Sequence, residues 1–181
     1  MLKMTKTKPG KVSIIGAGPG DPGLITLKAV EALRLADVVI YDNLVNEELL
    51  KYARANARFI YAGKQGGDHT LSQDSINALL AGEALEGHTV ARLKGGDPFI
   101  FGRGGEEAEV LAANNIPFEV IPGVTSAIAV PAYAGIPLTH RGLTSTVAFI
   151  TGHEDPTKEK SDIDWQALCG IGTLVFLMGV K

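Results

Sequence analysis

Short apolar runs rich in β-branched residues recur along the chain and predict the buried strands of a mostly parallel sheet. Helical patterns lie between these runs. In the first, Leu24, Leu27 and Val30 follow one another at three-residue steps; the second comes after Ser72, a predicted N-cap, and stops before Gly87. Strands that alternate with helices predict an α/β fold. The predicted strands are residues 12–15, 38–41, 59–62, 89–93 and 118–121.

The pattern changes after Pro122, where a helix rich in small residues is predicted to precede two further strands, residues 146–151 and 173–178. Two strands form a second lobe with little to pair or cover them, and exposed strand edges are a liability. We therefore expect this lobe to be incomplete, either because the chain is truncated at its C-terminus or because another chain completes the sheet. The expected segments are a flexible leader (1–10), an N-terminal α/β lobe (11–121) and a partial C-terminal α/β lobe (122–181).

Composition and charge argue against several classes of protein. The formal net charge is -3 and the basic residues are scattered, so we expect no nucleic-acid partner. No apolar run is long enough to cross a bilayer, and residues 1–10 lack the apolar stretch of a signal peptide, so we expect a cytoplasmic protein without a membrane partner. The single cysteine, Cys169, and four histidines without ligand spacing predict no disulfide and no metal site.

A glycine-rich loop, residues 16–23 (GAGPGDPG), follows the first predicted strand, where a dinucleotide-binding loop would lie. The spacing does not fit, because the third glycine of a GxGxxG motif is replaced by Asp21, and Pro19 has no amide hydrogen for a pyrophosphate. Asp42, at the end of the second strand, could nevertheless imitate the ribose-binding acid of a nicotinamide-dependent oxidoreductase, which stays an alternative. A plain turn in which Asp21 caps a helix beginning at Pro22 is another.

A second loop, residues 92–107 (RLKGGDPFIFGRGGEE), lies at the carboxyl end of the fourth predicted strand, the end at which open α/β sheets bind ligands. Gly95 and Gly96 allow a ligand to approach bare backbone. Asp97 can accept hydrogen bonds from hydroxyl or amino groups, and Ile100, with the phenylalanine before it, can enclose a flat apolar body. This loop is a more specific indication of a binding site than the first.

The two loops and six further motifs occur in the order seen in uroporphyrinogen III C-methyltransferases, and the chain resembles that family from about residue 12 to its end. The GDP loop alone would resemble the wider tetrapyrrole methylase superfamily, so another precorrin methylase stays an alternative. FIFGRGGEE and GIPLTHR resemble the uroporphyrinogen enzymes specifically. The motifs are, in order, GAGPGDPG, VVIYDNLV, AGKQGG, RLKGGDPFIFGRGGEE, VIPGVTSA, AGIPLTHR, VAFITGH and LVFLMG.

The resemblance implies two α/β lobes with S-adenosylmethionine, the methyl donor, in the cleft between them. It implies that the donor becomes S-adenosylhomocysteine when its methyl group is transferred. It implies two successive methyl transfers to uroporphyrinogen III, giving precorrin-2, with Asp42 as proton acceptor and Lys64 as proton donor. Alternatively, Asp42 caps a helix and Lys64 binds a substrate carboxylate. The implied cofactor contacts are Pro19, Gly95, Gly96, Asp97, Ile100, Thr125, Ser126 and Met178.

The implied substrate carries several carboxylates whereas the protein is slightly acidic, so local cations must bind it. Arginine suits this task because its planar guanidinium group can donate two parallel hydrogen bonds to a carboxylate. A solvated surface position is the alternative for each cation, and Glu106 and Glu107 are predicted only to begin the next helix, where its dipole favours acids. The predicted substrate contacts are Arg92, Lys94, Arg103, His140 and Arg141, with Lys64 close by.

The resemblance leaves the downstream pathway open, because siroheme, cobalamin and other modified tetrapyrroles share this step. The family continues past the final Met-Gly with further strands, so an inactive fragment that binds cofactor or tetrapyrrole is a further alternative. The family resemblance and the incomplete second sheet favour a homodimer.

Overall fold

A computed structural model describes residues 8–63, 71–154, 157–158 and 160–179. The chain divides into two compact units, Met1–Thr125 and Ser126–Lys181. Each unit combines helices with a parallel sheet, which confirms the predicted α/β class.

The first unit is built on a five-stranded parallel sheet. Its strands are β1 (Val12–Gly16), β2 (Val38–Tyr41), β3 (Arg58–Tyr61), β4 (Val90–Lys94) and β5 (Phe118–Ile121). Their order across the sheet is β3-β2-β4-β1-β5. Each strand begins and ends within one residue of its predicted position. The central strands β1, β2 and β4 are buried along nearly their whole length, as continuous β-branched runs indicate.

Helices cover both faces of this sheet. Successive side chains of β1 point to opposite faces: Val12 and Ile14 belong to one buried cluster with Leu80 and Leu111, and Ile15 belongs to the other. The second predicted helix is confirmed, with Ser72 Oγ accepting a hydrogen bond of 3.1 Å from the amide of Ser75. The helices of this unit are α1 (Leu27–Leu35), α2 (Gln73–Leu85) and α3 (Gly104–Ala113), with 3-10 turns at Pro22–Leu24 and Glu47–Tyr52.

The first predicted helix forms, but the three-residue pattern of Leu24, Leu27 and Val30 does not lie within one helix. Asp21 caps only the 3-10 turn Pro22–Leu24, and a second cap, Thr26, begins α1, so Leu24 and Leu27 do not share a helix. Leu27 is 84% exposed, whereas Ala29 and Leu33 face the core. Two caps only a few residues apart, and not the three-residue spacing of the leucines, decide which side chains of α1 face the core.

The second unit contains a two-stranded parallel sheet, which confirms both late strands. Trp165 stacks on Phe176 with their ring centroids 6.1 Å apart. Nowhere in the described part of the chain is a helix long and apolar enough to cross a membrane. The elements are α4 (Ser126–Tyr133), β6 (Val147–Thr151), α5 (Trp165–Leu168) and β7 (Thr173–Leu177).

Candidate functional site at the carboxyl edge of the first sheet

The loops that follow β1, β2, β4 and β5 meet at one edge of the first sheet, because parallel strands place their carboxyl ends together. This edge is where open α/β sheets bind ligands. The structure thereby brings together six of the sequence-predicted site residues: Pro19, Asp42, Gly95, Gly96, Asp97 and Thr125.

Three glycines let the loops after β1, β4 and β5 pack backbone against backbone. A Cβ atom on Gly16 would lie 2.4 Å from the amide nitrogen of Gly123, and a Cβ atom on Gly123 would lie 2.3 Å from the carbonyl oxygen of Gly96. No side chain fits at either contact. The sequence shows Gly16 and Gly123 only as members of motifs, and their positions at the carboxyl ends of two neighbouring strands are the signal for this packing.

Hydrogen bonds between the same loops use up the amides that would bind a phosphate. The amides of Ala17 and Gly18 donate to the carbonyl oxygens of Lys94 and Gly96, at 2.7 Å and 3.2 Å, and Pro19 has no amide to donate. A Cβ atom built on Gly20 meets no described atom within 4 Å, so the loop borders open space. The first loop therefore fits a ligand without phosphates, such as S-adenosylmethionine, better than a dinucleotide.

Asp97 connects two of these loops through both of its carboxylate oxygens. Oδ1 accepts a hydrogen bond of 2.8 Å from the amide of Phe99, and Oδ2 accepts one of 3.1 Å from the amide of Gly123. The predicted contact of Asp97 with a ligand stays a prediction, and the structure adds a role in holding the loop geometry.

The loop after Asp97 holds two residues other than glycine in the left-handed region, Phe101 at φ 53° and Arg103 at φ 57°. Each such residue costs about 1–2 kcal/mol, and strain of this kind clusters at ligand-binding loops. Ile100 lies in this loop, 36% exposed. The side chain of Ile100 is therefore accessible to an apolar part of a ligand, as its predicted contact with the cofactor requires.

Arg103 lies at the surface and forms a bidentate ion pair with Glu106. Its Nε and Nη2 donate to the two carboxylate oxygens, each at 2.7 Å. These hydrogen bonds raise the pKa of Arg103 and lower the pKa of Glu106 below its usual range, so both groups are charged. The exposed guanidinium suits the predicted contact with a substrate carboxylate.

Arg92 and Lys94 are buried, with 3% and 5% of their side chains exposed, and both bind Glu107. Arg92 Nε and Lys94 Nζ donate to Oε1 of Glu107 at 3.1 Å and 2.7 Å, and Arg92 Nη2 donates to Oδ2 of Asp42 at 3.1 Å. Burial lowers the pKa of Lys94, and the charge of Arg92 lowers it further, although Glu107 opposes both. The contacts that the structure gives these two cations are internal, and substrate contact by them stays a prediction.

Glu107 lies in the first turn of α3, as predicted, but the sequence did not indicate its place in this site. It is fully buried, and among the described residues its Oε2 has no hydrogen-bond partner. The available signal was the presence of two cations at alternate positions of a buried strand, because buried positive charges require a counterion.

The chain matches the family model of the tetrapyrrole (corrin/porphyrin) methylases over residues 11–181. It is 60% identical over 173 residues to the S-adenosyl-L-methionine-dependent uroporphyrinogen III methyltransferase of Methanosarcina barkeri, covering 95% of this chain and 68% of the relative. It is 58% identical over 176 residues to a uroporphyrinogen-III C-methyltransferase of Bacillus subtilis, covering 95% and 67%. The chain belongs to the tetrapyrrole methylase family.

A solved structure agrees with this membership. The uroporphyrin-III C-methyltransferase of Thermus thermophilus, in complex with S-adenosylhomocysteine, matches this tetrapyrrole methylase with a TM-score of 0.75 and 43% identity, over 94% of this chain and 67% of the other. The resemblance to uroporphyrinogen III C-methyltransferases and the expected fold are both confirmed. This tetrapyrrole methylase spans about two thirds of the length of these relatives.

The other predicted site residues of this tetrapyrrole methylase lie in the second unit or outside the described residues. Ser126 is the first residue of α4, and Met178 follows β7 with a φ of 58°. His140 and Arg141 lie in the exposed loop of residues 139–145, which borders an open depression of about 630 Å³. Lys64, the predicted proton donor, lies outside the described residues.

One group in the described part of the chain has the composition of a metal site: Glu83, Glu86 and His88. It precedes β4 and so lies at the amino edge of the sheet, away from the loops above. Arg58 already forms an ion pair with Glu83 and neutralises it. The absence of a metal stays a prediction of the sequence.

Proposed function

We propose that this chain acts as an S-adenosylmethionine-dependent C-methyltransferase that methylates uroporphyrinogen III twice and yields precorrin-2. The observation that carries the proposal is the closed junction of the loops after β1, β4 and β5, in which the amides of Ala17, Gly18 and Gly123 donate to oxygens at the end of β4 and in the loop after it and are therefore not free to bind a phosphate. The identity of 58–60% to named uroporphyrinogen methyltransferases supports the same donor and acceptor.

The first-unit residues proposed to hold the donor lie around this junction. S-adenosylmethionine, when bound, supplies the methyl group from its sulfonium. Gly96 offers backbone without a side chain, Pro19 offers an apolar ring without an amide hydrogen, and Ile100 offers an apolar surface. Gly95, Asp97 and Thr125 complete this part of the proposed site, and Ser126 and Met178 stay predicted contacts in the second unit.

The proposed role of the protein groups is to position the substrate and move protons. Methylation of a pyrrole carbon leaves the macrocycle with a positive charge, which is relieved when a neighbouring bridge carbon loses a proton. Asp42 is proposed to accept that proton, and Lys64 to donate one during the rearrangement of double bonds. The carboxylate of Asp42 is held in place for this task, because its Oδ1 accepts a hydrogen bond of 3.1 Å from the amide of Leu44.

The carboxylates of the substrate are proposed to contact exposed cations. Arg103 is the strongest of them, because its guanidinium is accessible and its backbone is fixed in a strained turn. His140 and Arg141 are exposed on the loop of the second unit. The homodimer, the cytoplasmic location and the downstream pathway stay predictions of the sequence.

Calorimetric titration tests the proposal against its alternatives. The chain is titrated with S-adenosylhomocysteine and, separately, with NAD, and the same preparation is then assayed for methyl transfer to uroporphyrinogen III. We expect binding of S-adenosylhomocysteine, no comparable binding of NAD, and a methylated product. Preferential binding of NAD would overturn the assignment of the donor site, and binding without methyl transfer would reduce the chain to a binding module.

A further inference from the structure

We propose that Arg92 is a positioning residue, which orients the carboxylate of Asp42 for proton transfer, and that buried Glu107 holds Arg92 in place. This inference rests on the proposed function, in which Asp42 accepts a proton. It assigns a task to a buried ion network whose contacts in the structure are internal.

The first support is the geometry of the Asp42 carboxylate. Its Oδ1 accepts from the amide of Leu44 and its Oδ2 from Nη2 of Arg92, each at 3.1 Å. Because the two donors lie on different oxygens, they fix the rotation of the carboxylate as well as its position. The side chain of Asp42 is still 21% exposed, so a substrate can reach it.

The second support is the way in which Arg92 itself is held. Its Nε donates to Glu107, its Nη1 to the carbonyl oxygen of Leu93, and its Nη2 to Asp42, each at 3.1 Å. Three acceptors in fixed directions match the planar guanidinium fork, whereas a lysine ammonium at this position could not serve all three. Arg92 lies on β4, opposite Ile40 of β2, so the sheet itself sets its distance to the end of β2.

The third support is the cost of this arrangement. An arginine cannot lose its proton inside a protein, so its burial requires permanent counterions, and an apolar residue would pack in the same space without that requirement. Glu107 is fully buried and binds both Arg92 and Lys94, and burial lowers the pKa of Lys94. A network that is costly to bury and that ends on the proposed base is better explained by orientation of that base than by stability.

The test is Arg92→Lys, which keeps the charge and removes the fork. We expect kcat for methyl transfer to fall about 10–100-fold, because a displaced catalytic group loses rate steeply, while KM and the Kd for S-adenosylhomocysteine stay near wild type. Crystal structures of both proteins should show the Asp42 carboxylate rotated in the variant. Arg58→Lys is the matched control, since Arg58 also bonds a glutamate but lies at the opposite edge of the sheet.

A second variant covers the case in which Arg92→Lys does not fold. Glu107→Gln keeps the size and the acceptor of the side chain but removes its charge, so it should loosen Arg92 and lower kcat in the same way. Addition of ethylguanidinium to Arg92→Ala should restore part of the lost rate, which a merely structural defect would not allow.

Wild-type kcat in a folded Arg92→Lys or Glu107→Gln would overturn the inference, and so would a loss of kcat with the Asp42 carboxylate unmoved. If the wild-type chain transfers no methyl group, the proposed function fails on its own. The crystallographic comparison then still decides whether Arg92 orients Asp42.

Discussion

The backbone amide of Gly123 donates a hydrogen bond of 3.1 Å to Oδ2 of Asp97, which ties the turn after β5 to the loop after β4. The other oxygen of the same carboxylate holds the amide of Phe99. One side chain therefore orders both loops that border the proposed donor site, and its removal should disturb binding even without direct contact with the ligand.

Asp97→Ala should weaken binding of S-adenosylhomocysteine by about tenfold or more and lower the free energy of unfolding by about 1–3 kcal/mol, because the half-buried amide of Gly123 and the amide of Phe99 both lose their acceptor. Calorimetry and urea denaturation measure the two effects. Glu109→Ala, an exposed change on α3, is the control and should alter neither. Wild-type affinity in folded Asp97→Ala would contradict the role given to this carboxylate.

Gly123→Ala should destabilise the protein by about 1–3 kcal/mol, because its Cβ would lie 2.3 Å from the backbone oxygen of Gly96 and the junction must open to accept it. Gly82→Ala is the matched control. Gly82 lies in α2, a Cβ there meets no described atom within 4 Å, and we expect a gain of about 0.4–1 kcal/mol. Thermal unfolding of both variants checks the contrast, and equal effects would refute the close backbone packing.

Glu119 should make stability depend on pH in the acid range. Its pKa lies below the usual value, chiefly because Lys11 donates a hydrogen bond to its carboxylate, with Lys28 and Ser13 adding to the effect and partial burial opposing it. A lowered folded-state pKa gives stability that is fully present above the unfolded pKa of about 4.3 and is lost as the pH falls through the folded value.

Glu119→Gln should therefore lower the free energy of unfolding by about 1 kcal/mol near neutral pH, and the difference from wild type should shrink as the pH falls below about 4. Urea denaturation across that range measures the difference. The exposed change Glu109→Gln serves as control and should show no comparable trend. A difference that persists unchanged in acid would show that charge at Glu119 is not its source.

Much of the first unit could be predicted from the sequence because its three central strands, β1, β2 and β4, are buried along nearly their whole length. A continuous β-branched run such as residues 38–41 has few stable arrangements other than a buried strand. The carboxyl ends of such strands mark the edge of the sheet at which ligands bind. Which side chains around Leu27 face the core could not be predicted in this way, because two nearby caps, Asp21 and Thr26, fix where the 3-10 turn and α1 begin.

The chemistry of the site was predictable as far as it depends on local motifs. Asp42 and Asp97 follow strands and meet at one edge, as their positions indicate. Arg92 lies on β4, and Glu107 lies on α3, 15 positions later in the chain. Their pairing depends on how α3 packs against β4, and the local spacing of residues carries little information about such a contact. The sequence therefore identified the cations and placed Glu107 at the start of a helix, but it did not show that they pair.

The most direct test of the proposed function compares the wild-type chain with Asp42→Asn. Each is supplied with S-adenosylmethionine and reduced uroporphyrinogen III, and the tetrapyrrole products are identified by mass spectrometry, with S-adenosylhomocysteine affinity measured in parallel. We expect doubly methylated product from wild type, and from Asp42→Asn the same affinity with a rate about 10²–10⁴-fold lower, because the amide cannot accept the proton. Full turnover by Asp42→Asn would contradict the role of Asp42, and NAD binding without methyl transfer by wild type would contradict the account as a whole.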